Sequence, residues 1–251
     1  MLTHPTDEKL RELNLSGMAR ALAEQRQSDL YESMGFEERL ALLVDREVTE
    51  RDNRRLSRRI QGAKLREDAC IEDLNLKLRR NLDRGVVQQL ATSQWVRKAY
   101  NVFITGATGV GKTFLACALA QKACRDGFDS LYLRTPLLFQ DLALAKADGR
   151  YRKLLASLAK KRLLVLDDWG LAPLSDEQRR DLLEIVEDRH GRAALVIVSQ
   201  VPVEKWHQSI GDPTLADAIL DRIVHCAIRI DMTGDTVRPH YFKVKQEKGD
   251  E

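Results

Sequence analysis

Residues 101–120, "NVFITGATGVGKTFLACALA", decide how this chain is read. "NVFIT" is a short apolar run ended by glycine, which reads as a buried strand. A helical segment starts at Lys112. Between them "GATGVGKT" (106–113) carries the full G-x-x-x-x-G-K-[ST] spacing at a strand–helix junction. The glycines allow backbone conformations that turn successive amides inward, making a nest for phosphate oxygens. The positive end of the following helix adds to that field. Lys112 supplies a full charge for the β- and γ-phosphates of a nucleotide, and the Thr113 hydroxyl can ligate Mg²⁺. The expected nucleotide contacts are Gly106, Ala107, Thr108, Gly109, Val110, Gly111, Lys112, Thr113 and Phe114, with ATP and Mg²⁺ as cofactors.

Working outward, short apolar runs alternate with amphipathic stretches: "NVFIT", "SLYLR", "LLVLD", "ALVIVS" and "CAIRI", with helices expected from Lys112, Pro136 and Ser175. Five strands separated by helices predict an α/β core around a five-stranded parallel sheet covered on both faces. Ser175 with Gln178 three residues on reads as a capping box. Residues 1–100 show no strand pattern. "EKLRELNLSGMARALAEQ" places Leu10, Leu13, Met18 and Leu22 near helical spacing, with a break expected at Ser16 and Gly17. The expected organisation is a helical domain over 1–68, linker helices over 69–100 (one near Ala91–Lys98), an ATPase core over 101–244 and a disordered tail over 245–251.

The stretch "LLVLDDWG" (163–170) runs a greasy strand into two carboxylates, an expensive arrangement unless something binds the charge. With a phosphate loop upstream, that partner is Mg²⁺ and a triphosphate. Alternation along a strand points the two aspartates in different directions. Asp167 is assigned to the metal and Asp168 to polarising the attacking water. "DDWG" also fits the D-x-x-G of GTPases, but no N-K-x-D follows. A small-molecule kinase has no need of the acidic pair. The pair favours ATPases with an additional strand between the phosphate-loop strand and the metal-binding strand. In those a polar residue ends the strand after the metal-binding one, and here "ALVIVSQVP" delivers Ser199 and Gln200, either of which can sense the γ-phosphate or orient water. Arg222, on the helix before the last strand, is placed where such ATPases present an arginine to a neighbouring subunit's nucleotide. Arg238 in "GDTVRPH" is a second candidate γ-phosphate sensor.

Composition is that of an ordinary globular chain, 43% hydrophobic and 31% charged, and a net charge of +3 is too small to name a partner. No apolar run approaches the roughly 20 residues a membrane span needs. Four cysteines with no CxxC pair and no signal peptide predict reduced thiols and a cytoplasmic location. Cys117 and Cys124 read as packed side chains. Five scattered histidines argue against zinc.

The combination of "GATGVGKTFLACALA", "LLVLDDWGLAPL", "LLEIVEDRH", "SQVPVEKWH" and "LADAILDRIVH" resembles AAA+ ATPases of the helicase-loader clade. With "LSGMARAL", "FEERLALLVDRE", "ERDNRRLSRRI" and "QLATSQWV", nearly the whole chain is similar to the IstB-like transposition helper ATPases of bacterial insertion sequences. The resemblance implies an AAA+ core after a helical N-terminal domain, without a C-terminal helical lid. It also implies ATP-dependent assembly into a homo-oligomeric ring or spiral on double-stranded DNA, target selection and recruitment of a partner transposase. A helicase loader, acting on a protein ring, is the alternative. One departure stands out. The acidic pair is usually Asp-Glu, and the shorter Asp168 here predicts slow hydrolysis. Two basic regions are candidates for DNA. "RDNRRLSRRIQGAKLR" (51–66) puts Arg51, Arg55, Arg58 and Arg59 on one helical face. "LAKADGRYRKLLASLAKK" (144–161), between the second and third strands where the clade makes its DNA contacts, offers Lys146, Arg150, Arg152 and Lys153. The second is preferred for DNA and the first for protein contacts. Phosphate contacts of this kind predict little sequence preference.

Overall fold

A proline at the first turn and a His4 ring that accepts the Thr6 amide at 3.2 Å start the first helix, α1 (Pro5–Glu12). The computed structural model describes residues 4–78 and 80–236. Asn14, in a left-handed conformation, breaks the chain before α2 (Ser16–Arg26), and α3 (Phe36–Ala63) follows. The break therefore precedes Ser16, and Gly17 lies inside α2. Its role is close approach: a Cβ there would sit 2.8 Å from the Cα of Glu47 on α3.

The chain divides into two units, Met1–Arg58 and Arg59–Glu251. The division falls within α3, earlier than the expected residue 68, because the last turns of that helix pack with the second unit. In the first unit the buried apolar side chains among the described residues are Ala19, Ala21 and Leu43, a thin core. Charge compensates. The Glu47 carboxylate accepts the Gly17 amide at 2.7 Å and the Met18 amide at 3.2 Å, capping α2, and also pairs with Arg51 at 2.8 Å. Asp7 and Arg26 pair at 2.9 Å.

Burial works against ionisation of Glu47, but the Arg51 hydrogen bond and the two amides outweigh it and hold its carboxyl below the ordinary range. A depressed carboxyl contributes stability that is complete above its unfolded pKa and is lost as pH falls through the folded value. Glu47→Gln is expected to lose about 2 kcal/mol of first-unit stability at neutral pH and to lose less on acidification than the parent chain does. Amide exchange of α2 between pH 7 and pH 3 measures both, and an unchanged acid response removes the assignment.

The second unit is built on β1 (Asn101–Gly106), β2 (Ser130–Arg134), β3 (Leu163–Trp169), β4 (Ala194–Ser199) and β5 (Ala227–Met232), all parallel, in the order β2-β3-β4-β1-β5. All five expected strands are present, and β4 lies between β1 and β3 as the acidic pair implied. Val102, Ile104, Val165, Val196 and Val198 face one side, under α6 (Lys112–Arg125). Phe103, Leu164, Leu166, Leu195 and Ile197 face the other, under α7 (Thr135–Ala147), α8 (Tyr151–Ala159), α9 (Asp176–Arg189), α10 (Trp206–Ile210) and α11 (Pro213–Val224). Burial of β1, β3 and β4 on both faces explains their continuous apolar runs. Ser175 and Gln178 form the expected capping box at the start of α9.

Between α3 and β1 the helices α4 (Arg84–Ala91) and α5 (Gln94–Arg97) bury Val87, Leu90, Trp95 and Val96 in the α6-side core. This segment is core packing of the second unit rather than a free linker. It also bends at Thr92 and Ser93, within the single helix expected near Ala91–Lys98. Cys117 and Cys124 are fully buried in α6. No helix among the described residues is long and apolar enough to cross a membrane.

Candidate nucleotide-binding site

The phosphate loop leaves β1 at Gly106, where φ is 140° and a Cβ would lie 2.1 Å from the Met232 carbonyl oxygen on β5. Only glycine fits there, so the strand pairing itself dictates the first position of the motif. Gly111, with φ of 97°, caps α6 and aims its first amides into the loop. Lys112 is almost buried, and its Nζ donates to the carbonyls of Gly106 and Ala107, each at 2.8 Å. Burial lowers its pKa, and the charges of Asp167 and Asp168 oppose that shift.

Asp167 is 2% exposed at the end of β3. Its Oδ2 accepts the Thr113 hydroxyl at 2.8 Å and the Tyr132 phenol at 2.6 Å, and its Oδ1 accepts the Asp168 amide at 2.8 Å. The donor set fits a hard divalent cation: a carboxylate and a hydroxyl, oxygen only, touching at the mouth of an amide-lined loop. ATP fits the same loop, because its glycines carry positive φ and its lysine is poised over the cradle.

Asp168 differs from Asp167 for a reason that alternation does not give. In the pairing of β3 with β4, Leu166 meets Ile197 and Trp169 meets Ser199, so three steps on one strand match two on the other. Asp168 is the extra residue of a bulge, with φ of 60°. Trp169 thereby returns to the same face as Leu166, and the Asp168 carboxylate is free of the core packing. Arg134 Nε, at the end of β2, holds its Oδ2 at 2.6 Å.

The two polar residues at the end of β4 separate. Ser199 is buried, donating to the Trp169 carbonyl at 2.7 Å and accepting the Val201 amide at 2.9 Å, so its hydroxyl is committed to the turn. Gln200 is exposed and accepts the Thr108 hydroxyl of the phosphate loop at 2.7 Å. Arg222 on α11 pairs with Glu187 on α9 at 3.0 Å and donates to the Ala218 carbonyl, and among the described residues it has no hydrogen bond or ion pair with the phosphate loop. Its neighbours Asp221 and Asp217 pair instead with His225 and His207. Arg238 lies outside the described residues.

The basic regions are less free than their sequence suggests. Lys146 pairs with Asp181 at 2.6 Å and Glu177 at 2.8 Å, and Arg150 pairs with Asp148. Arg152 and Lys153 stand exposed on α8 with no ion pair among the described residues. In the other stripe Arg51 pairs with Glu47, Arg55 with Asp52 and Arg59 with Asp129, while among the described residues Arg58 donates only to the Arg54 carbonyl. The exposed pairs among these are weak, so a phosphate can replace the carboxylate there, whereas Glu47 and Asp181, each with a side chain 6% exposed, hold Arg51 and Lys146 more firmly.

Tyr132 and Arg134 are the site residues that motif reading misses. Their signal is faint: a phenol and a cation two apart at the end of "SLYLR", hence on one face of a strand that pairs beside β3.

The profile of the family described as IstB-like ATP binding protein matches residues 8–245. The chain is 49% identical over 238 residues to an insertion sequence ATP-binding protein of Sinorhizobium fredii, covering 95% of this chain and 97% of that one. Among solved structures, DnaI matches with a TM-score of 0.56 and 24% identity, over 68% of this chain and 91% of that chain. The replication initiator DnaA bound to AMPPCP and single-stranded DNA matches with a TM-score of 0.57 and 17% identity, over 74% and 56%. These two likenesses are of fold.

Proposed function

This chain belongs to the family of IstB-like ATP-binding proteins, and from that premise we propose that it is the ATP-driven, DNA-binding helper of a transposition system. In this reading it assembles with ATP on duplex DNA into a ring or spiral, marks or remodels a target and recruits a transposase. Hydrolysis, Mg²⁺-dependent, DNA-stimulated and slow, then dissolves the assembly. The observation that carries the chemistry is the 2.8 Å contact between the Thr113 hydroxyl and the Asp167 carboxylate beside the glycine loop. The insertion-sequence names of the relatives support the biological setting. Likeness to DnaI concerns the fold and gives a helicase-loader reading no comparable support.

Thr113 and Asp167 would hold Mg²⁺, which when bound neutralises charge across the β- and γ-phosphates. Lys112 turns its ammonium from loop carbonyls to phosphate oxygens. Asp168, outside the core packing, orients a water and takes its proton. Gln200, joined to the loop through Thr108, senses the terminal phosphate, with Ser199 fixing the turn that presents it. Arg222 leaves Glu187 to reach the nucleotide of the adjoining subunit, where a guanidinium stabilises the developing charge. Arg152 and Lys153, with Lys146 and Arg150 after exchange of partners, contact DNA phosphates. The stripe of Arg51, Arg55, Arg58 and Arg59 serves subunit or transposase contacts.

The test is the size of the full chain with duplex DNA, with and without a non-hydrolysable ATP analogue. Large species are expected only when both are present, and they should weaken steeply with salt. A chain that stays monomeric with both ligands overturns the proposal.

A further inference from the structure

We propose that Tyr132 is a positioning residue for the Asp167 carboxylate, with the Arg66 guanidinium facing its phenol as support. The inference rests on the reading of Asp167 as the metal's partner. Asp167 is buried, and the donors to its side chain are the Thr113 hydroxyl, the Asp168 amide and the Tyr132 phenol at 2.6 Å. Thr113 is itself a metal-binding group, so its bond to Oδ2 is exchanged when a cation arrives. Asp168 lies in the bulge and belongs to the hydrolytic machinery. Tyr132 alone among these donors takes no part in either job. Its ring is 6% exposed and packed in the core on the α6 side, which leaves the hydroxyl no freedom to swing away.

The phenol has one proton to give and lone pairs to accept with. The Arg66 guanidinium faces the phenolic oxygen. A guanidinium only donates, so the single phenolic proton is left for Asp167. The backbone amides of Arg66 and Glu67 face the Cys117 thiol on α6, the helix that starts at Lys112. Burial pushes that thiol up to about 11, so it stays a neutral, fixed acceptor. The relay from Cys117 through Arg66 and Tyr132 to Asp167 keeps the carboxylate aimed while Thr113 changes partner. Outer partners of this kind set the orientation of a ligand, and their loss costs about 10–100-fold in metal affinity.

The experiment is a Mg²⁺ titration of the full chain carrying a fluorescent ATP analogue, with EDTA as the metal-free reference. Tyr132→Phe keeps the ring packing and removes only the hydroxyl. It is expected to leave nucleotide affinity in EDTA unchanged and to raise the half-saturating Mg²⁺ concentration about tenfold. Arg66→Ala should shift the midpoint in the same direction by less, and Arg66→Lys should recover most of it. A wild-type midpoint in Tyr132→Phe overturns the inference. Should that variant not fold, an unchanged midpoint in Arg66→Ala overturns it instead. Asp167→Asn separates the layers: if it too keeps the wild-type midpoint, the assignment of Asp167 to the metal fails, and the positioning role with it.

Discussion

Asp168→Asn is expected to bind ATP about as the parent chain does and to hydrolyse it on the order of 100-fold more slowly, the usual size of a lost general base. The amide keeps the shape of the side chain but cannot take a proton from water. The fold should not move. Asparagine tolerates the left-handed conformation at this position as readily as aspartate does. The Arg134 pair that is lost lies at the surface end of the strand, with the arginine side chain 45% exposed, and contributes little to stability. Single-turnover hydrolysis with protein in excess isolates the chemical step, and equilibrium binding of a non-hydrolysable analogue checks the ground state. In the assembly reading this variant gathers on DNA with ATP and fails to come apart. Parent-like turnover would remove Asp168 from the mechanism and leave its bulge without a chemical purpose.

Lys112→Ala should abolish ATP binding at concentrations that saturate the parent chain, a loss on the order of 100-fold or more in affinity, since a charge-assisted contact to phosphate contributes several kcal/mol. The sharper part concerns the protein without nucleotide. Burial depresses the lysine's pKa against the pull of Asp167 and Asp168, so holding it charged in the folded state costs stability. Removing it is therefore expected to leave the melting temperature unchanged or slightly raised. The same variant loses the upward shift that ATP produces, which for the parent is about 2.7 kcal/mol at a hundredfold excess over Kd. Thermal melting with and without ATP reads both effects. A variant that melts much lower without nucleotide would show Lys112 to be a structural clamp on Gly106 and Ala107.

Much of this molecule is legible along the chain because its signals are local. A strand buried on both faces must be apolar at consecutive positions, and three such runs fall where the inner strands β1, β3 and β4 form, while the edge strands β2 and β5 follow shorter apolar runs with exposed positions. The loop motif specifies its own conformation through glycine. Asp167 follows from a charge that no buried strand end carries without a partner, and the capping box at Ser175 needs only four residues to form. The relatives then match the family that the motif combination resembles.

Other features depend on which segments become neighbours, and one-dimensional spacing does not carry that. "DDWG" reads as plain alternation, yet β3 has to match β4 with one residue fewer, and the bulge at Asp168 is how the register is satisfied. Gly17 reads as a helix break until Glu47 is seen against it. Ser199 and Gln200 look interchangeable until the Trp169 carbonyl and Thr108 claim one each. Tyr132 and Arg134 become part of the site only because β2 lies beside β3 and brings their side chains to the two aspartates. By itself the sequence determined the sheet, the phosphate loop and the buried carboxylate at the end of β3, since each is encoded by residues close together in the chain. Only the tertiary structure decided how the two aspartates differ and what holds each of them. Those contacts, each 2.6 Å long, join residues 34 and 35 positions apart, and strand pairing alone can bring them together.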